Sequence, residues 1–85
     1  MEIELDVSMF EPCEPLERTL KATGELAQGD YLKVIHRREP KLLYPMLERA
    51  GFDWLCLEQG ADLYNIYIWC RDDKAAEAQV KTDAD

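Results

Sequence analysis

Cys13, His36, Arg37 and Arg38 are the residues of this chain whose types and placing suit chemistry. Cys13 lies in Glu11-Pro12-Cys13-Glu14-Pro15-Leu16-Glu17, which reads as a helix start. Pro15 suits a first helical position, and Glu14 and Glu17 place negative charge at the positive end of the helix dipole. Cys13 or Glu14 is then the N-cap. A thiol there faces unpaired backbone N–H groups, which favour the thiolate, whereas Glu11 and Glu14 oppose its ionisation. His36 could lower the thiol pKa or take its proton. Arg37 and Arg38, the only adjacent basic pair of the chain, could hold an anion or an acidic partner. The plainer reading gives His36 a structural hydrogen bond at a strand end and pairs the arginines with Glu39 and Glu11 at the surface.

The elements that must position these groups follow from hydropathy patterning. Glu2 to Val7 alternates charged and apolar residues, a strand with Ile3, Leu5 and Val7 inward. A helix from about Glu14 to Ala27 carries Leu16, Leu20, Thr23 and Ala27 on one stripe, with Leu26 beside it. Gln28-Gly29-Asp30 stops it, and Tyr31 to Arg37 forms a second strand. Leu42, Leu43, Met46, Leu47 and Ala50 form a second helical stripe, ended by Gly51. Pro45 requires that helix to begin near Lys41 or Leu42, so that the ring falls close to the first turn. Phe52 to Glu58 and Leu63 to Arg71 are strands about the hairpin signal Gln59-Gly60-Ala61-Asp62. The third strand buries either Trp54 and Cys56 or Leu55 and Leu57.

This order, βαβαββ, gives an α/β fold of two layers, a mixed four-stranded sheet with both helices on one face. Residues 1–71 make a single domain. Residues 72–85, charged and alanine-rich, read as an acidic disordered tail. The other sheet face is then open. Tyr31, Ile35, Tyr67 and Trp69 would lie on it as a contact patch, a surface for a homodimer. The first three strands share a carboxyl-terminal edge, where ligands of open α/β sheets commonly bind. That edge collects Cys13, His36-Arg37-Arg38, Glu58 and Gln59.

With 85 residues and a net charge of −8, the chain is small enough to gain from an added stabiliser and too acidic for nucleic acid or anionic membranes. A protein is the expected partner. No apolar run reaches transmembrane length and the start does not read as a signal peptide, so a cytoplasmic setting with reduced thiols is expected. Three cysteines without regular spacing predict neither a disulfide framework nor a metal centre. Cys56 and Cys70 read as strand packing residues, and no cofactor-binding motif is present.

Leu5-Asp6, Glu14-Pro15-Leu16-Glu17, His36 before Glu39-Pro40, Leu43 with Leu47-Glu48, Gly51-Phe52 and Leu57-Glu58-Gln59-Gly60 occur in an order that resembles the TusA/SirA-like sulfur-carrier fold. The later stretches look closer to its uncharacterised bacterial relatives, domains of unknown function sometimes found beside hemerythrin-like domains. The resemblance implies strand order 1-2-4-3 with the last strand antiparallel to the others, and a helix-start cysteine that matters. In the carriers the motif is Cys-Pro-x-Pro and the thiol holds a persulfide. Here, with Pro15 as anchor, Pro12 stands at the cysteine position and Cys13 one residue later, a turn of about 100° near a helix start. Three functions follow as expectations. The first is a non-catalytic binding or carrier domain acting through protein contacts, in sulfur or redox metabolism. The second is a persulfide carrier using Cys13, and the third a docking module for a larger respiratory or hemerythrin-type protein.

Overall fold

The computed structural model describes residues 2–7 and 14–84, with side chains from 18 onward in the second stretch. Its elements are β1 (Glu2–Asp6), α1 (Glu14–Gly24), β2 (Tyr31–His36), α2 (Leu43–Ala50), β3 (Phe52–Gly60), β4 (Leu63–Cys70) and α3 (Lys74–Asp83). The four strands form one sheet in the order β1-β2-β4-β3. β1 runs parallel to β2, and β4 is antiparallel to both β2 and β3. The expected α/β fold and strand order are therefore present, with a third helix added.

Local chemistry explains the element ends. α1 stops at Gly24, where the N–H groups of Glu25 and Leu26 turn back three residues to the carbonyls of Ala22 and Thr23. Gly29 then takes φ +88°, a left-handed turn that favours glycine. α2 begins at Leu43, so Pro45 occupies its first turn, where a missing N–H breaks no helical hydrogen bond. Gly51 closes α2 with φ 89° and donates to the Glu48 and Leu47 carbonyls.

The main core lies between the sheet and α1 and α2. Val7, Leu32, Val34, Leu43, Leu47, Ile66 and Ile68 are fully buried there, flanked by Leu5, Leu20, Trp54 and Cys56. Period-two alternation decides the third strand: Trp54 and Cys56 turn to this core, while Leu57 turns to the opposite face. The first strand is buried unevenly, because it is an edge: Leu5 is half-buried and Ile3 exposed, while Val7, directly after the strand, is sealed. Thr19 and Thr23 are also buried, and the Thr23 hydroxyl donates to the Leu20 carbonyl at 2.7 Å.

The largest departure from expectation is α3. Residues 74–83, read from sequence as disordered, form a helix across the second face of the sheet. Ala76, Val80 and Ala84 recur every four residues, and this narrow stripe of small side chains packs against Tyr31, Tyr67 and Trp69. The aromatic patch expected to be open is covered: Tyr31, Tyr67 and Trp69 are buried, and Ile35 is half-buried. A homodimer through that face loses its premise. Both ends of α3 are tied down. Asp73 caps it, accepting from the N–H groups of Ala76 and of Gly29 in the distant α1–β2 turn. At the other end the Tyr31 hydroxyl donates to Asp83, with Glu2 Oε1 at 3.4 Å. Among the described residues the buried Trp69 indole N–H has no hydrogen-bond partner.

Arg71 joins α2 to the two strands that follow. Its guanidinium donates to the Glu48 and Phe52 carbonyls, each at 3.3 Å, and meets Asp53 at the same distance. The Glu48 contact also places a cation at the carbonyl end of α2. Arg71→Ala is expected to cost about 1 kcal/mol, the size of an exposed, charge-assisted network, read as a lowered midpoint in urea unfolding.

Candidate functional site

The carboxyl-terminal rim of the sheet is where the described chemistry-bearing residues converge. In register, His36 stands opposite Tyr64 and Tyr64 opposite Glu58, so three strands contribute one polar row. This row lies on the α1/α2 face, because His36 is in phase with Leu32 and Val34. The Tyr64 hydroxyl donates to Glu58 Oε2 at 3.3 Å. That carboxylate, with burial and Glu39 behind it, raises the phenol's pKa above its ordinary value.

His36 half-closes the end of β2. Its Nδ1 accepts the backbone N–H of Arg38 at 3.0 Å, so the neutral ring carries its proton on Nε2. Burial lowers its pKa, and the neighbouring Arg37 and Arg38 charges lower it further. Neutral imidazole therefore dominates at pH 7. Arg37, Arg38 and Glu39 follow it at the exposed surface.

At the surface Glu39 accepts the Tyr44 hydroxyl at 3.2 Å. Tyr44 stacks on Trp54, with ring centroids 5.0 Å apart and planes within 7°. The same phenol oxygen meets the Cys56 thiol, and burial is the main cause of the raised Tyr44 pKa. Burial likewise pushes the Cys56 thiol up, with Glu39 and Glu58 adding to it against the opposing Tyr44 hydrogen bond. Cys56 is thus a protonated thiol in an aromatic and acidic lining, a poor nucleophile.

Of the residues placed at this edge by the sequence, His36 with Arg37 and Arg38 lies at the end of β2 and Glu58 with Gln59 at the end of β3; Glu39 follows the arginines. Cys13 and the Glu14 side chain lie outside the described residues; Glu14 itself is the first residue of α1. Of the interface set, Tyr31, Tyr67 and Trp69 lie on the opposite face as the floor under α3, and Ile35 shares their phase at the end of β2. Cys70 is exposed at the start of the turn into α3 instead of filling a strand interior, whereas Cys56 is half-buried. Glu39, weighed as a partner of the arginines, accepts the Tyr44 hydroxyl. Sequence reasoning missed Tyr44, Cys56 and Tyr64. The hairpin centred on Ala61 could have revealed Tyr64 opposite Glu58, since equal counting from the turn sets cross-strand partners.

Among the described residues no group of three or more His, Cys, Asp and Glu side chains could hold a metal ion. None of the described helices is long and apolar enough to cross a membrane. Residues 4–70 match the family described as an uncharacterized conserved protein, DUF2249. The chain belongs to the DUF2249 family. That match runs from within β1 through β4, takes in the whole polar rim, and stops short of α3. No curated protein and no solved structure matches the chain.

Proposed function

We propose that the chain is a small non-catalytic binding domain that acts through protein contacts made at the carboxyl-terminal rim of its sheet. The observation that carries this reading is the character of the described rim, which presents exposed charge and no activated nucleophile among the described residues. The Cys56 thiol is held protonated, and His36 has one ring nitrogen engaged by backbone and a lowered affinity for protons. What the rim offers instead is exposed charge of both signs, Arg37 and Arg38 beside Glu39 and Glu58, with Tyr64 between strands. Such a surface suits a charged protein partner. The resemblance to sulfur carriers supports a setting in sulfur or redox metabolism through the scaffold alone. A photoreactive residue placed at Arg38 in cells should give one discrete cross-linked protein, lost with Arg37→Glu. The same probe at Lys81, on α3, should not give it. Equal capture from both positions would remove the rim from the proposal.

A second reading is supported by the start of α1 at Glu14, which puts Cys13 directly before a helix N-terminus in sequence. The thiolate of Cys13 would attack the outer sulfur of a donor persulfide, forming Cys13–S–SH and releasing the donor as a thiolate. Incubation with a persulfide donor then adds the mass of one sulfur atom, an adduct lost in Cys13→Ala and kept in Cys56→Ala. An unchanged intact mass removes carriage and leaves the contact reading alone.

A further inference from the structure

The two edges of the sheet are built differently. β1 is five residues long and presents Glu2, Glu4 and Asp6 at the surface, the short, charged form that resists pairing with another chain. β3 is nine residues long, and its central run Trp54-Leu55-Cys56-Leu57 carries no charge and no proline. A register shift occurs only between Glu58 and Gly60, so Phe52–Glu58 is a regular, continuous edge. α3 packs chiefly on β4 and β2, and among the described strands β3 pairs on one side alone, with β4. Leu55, at its centre, is 36% exposed, and Met46 on α2, the helix that packs over β3, and Leu42 just before that helix are exposed too.

We propose that the β3 edge pairs antiparallel with the β3 edge of a second copy of this chain, joining two four-stranded sheets into one of eight. The regular segment is its own complement. A two-fold axis through Leu55 sets Leu55 against Leu55, Trp54 against Cys56, Asp53 against Leu57 and Phe52 against Glu58 of the other copy. Opposite residues then lie on the same sheet face, as an antiparallel ladder requires. No like charges meet: Asp53 and Glu58 each face an apolar side chain. Asp53 is in addition answered within its own chain by Arg71, and Glu58 by Tyr64. Pairing satisfies the outward N–H and C=O groups of β3 and gives a chain of this size the added stabiliser that small cores need.

Sedimentation of the full chain from micromolar to millimolar concentration tests this. A monomer–dimer equilibrium is expected, weakened at least about tenfold by Leu55→Lys, which sets two ammonium groups across the axis. Leu63→Lys, equally exposed but on β4 and away from the edge, should leave it unchanged. A register test comes from Leu55→Cys in a background where Cys13, Cys56 and Cys70 are serine. Directly opposed residues bring their Cα atoms to roughly 4.5–5.5 Å, within disulfide range, so mild oxidation should link the dimer. A monomer at every concentration overturns the proposal. So does a Leu55→Cys chain that cross-links no faster than Leu63→Cys in the same background.

Discussion

A chain ended after Asp72 is expected to lose on the order of 3–4 kcal/mol of stability and to bind hydrophobic dye, because α3 is the only described element covering the second sheet face. The loss has three sources. Val80 and Ala76 forfeit full burial, the aromatic surfaces of Tyr31, Tyr67 and Trp69 return to water, and the two end ties of the helix vanish. Set against a total of about 4–13 kcal/mol for a chain of this length, that is a large fraction. Differential scanning calorimetry on the full and shortened chains measures it, and equal midpoints would mean that α3 adds nothing. The intact protein should show the same dependence through pH. The Gly29 and Ala76 N–H groups hold the Asp73 carboxyl below its ordinary 3.8, so its contribution is complete above that value and disappears as the pH falls through the folded one. Tyr31 acts at the other extreme. Burial and the Asp83 hydrogen bond raise its pKa above 10.0, so its contribution is complete below pH 10 and is lost at higher pH as the phenol ionises. Amide exchange in residues 74–83 should therefore accelerate at both ends of the pH range before the rest of the molecule opens.

Leu47→Ala should cost about 3 kcal/mol, and here the effect is on the other face. Leu47 is fully buried on α2 among Leu32, Val34, Ile66 and Ile68, and the sheet beneath it cannot collapse into the space left behind. Met46, its neighbour, is at the surface, so Met46→Ala should change stability by no more than about 0.5 kcal/mol. The pair separates packing from helix propensity, since both changes place alanine in the same helix. Urea unfolding with unchanged slope and a displaced midpoint is the expected form of the Leu47 result. Similar midpoints for the two variants would remove Leu47 from the core.

Much of the architecture was legible because its signals are local. Strict alternation marks β1, and Pro45 and Gly51 bracket a helix whose start had to fall near Lys41 or Leu42, just ahead of the Leu43 at which it begins. The turn at Gln59 to Asp62 makes β3 and β4 a hairpin. The rim was legible in part for the same reason, since His36 ends one strand and Glu58 falls near the end of another. What escaped is carried by small or ambiguous side chains. Ala76, Val80 and Ala84 make a seam against large aromatics, but alanine gives a weak apolar signal and the surrounding residues are charged. β3 has apolar residues on both faces, so its orientation depends on the presence of α3, which the pattern of β3 alone does not contain. The Tyr44, Cys56 and Glu39 contact joins a helix, a strand and the segment before the helix, and no spacing rule links those three positions.

The two tryptophans lie on opposite sides of one sheet in unlike surroundings: Trp54 is stacked on a phenol, and Trp69 is sealed with an indole N–H that finds no acceptor among the described residues. An indole without a hydrogen-bonding partner emits toward the blue, and a stacked one gives strong near-ultraviolet dichroism. Each layer of the molecule consequently carries its own optical reporter, and Trp54→Phe and Trp69→Phe isolate them. A chain that sheds its last helix would shift the emission of one and leave the dichroism of the other intact, so the order in which the layers come apart can be followed by light alone.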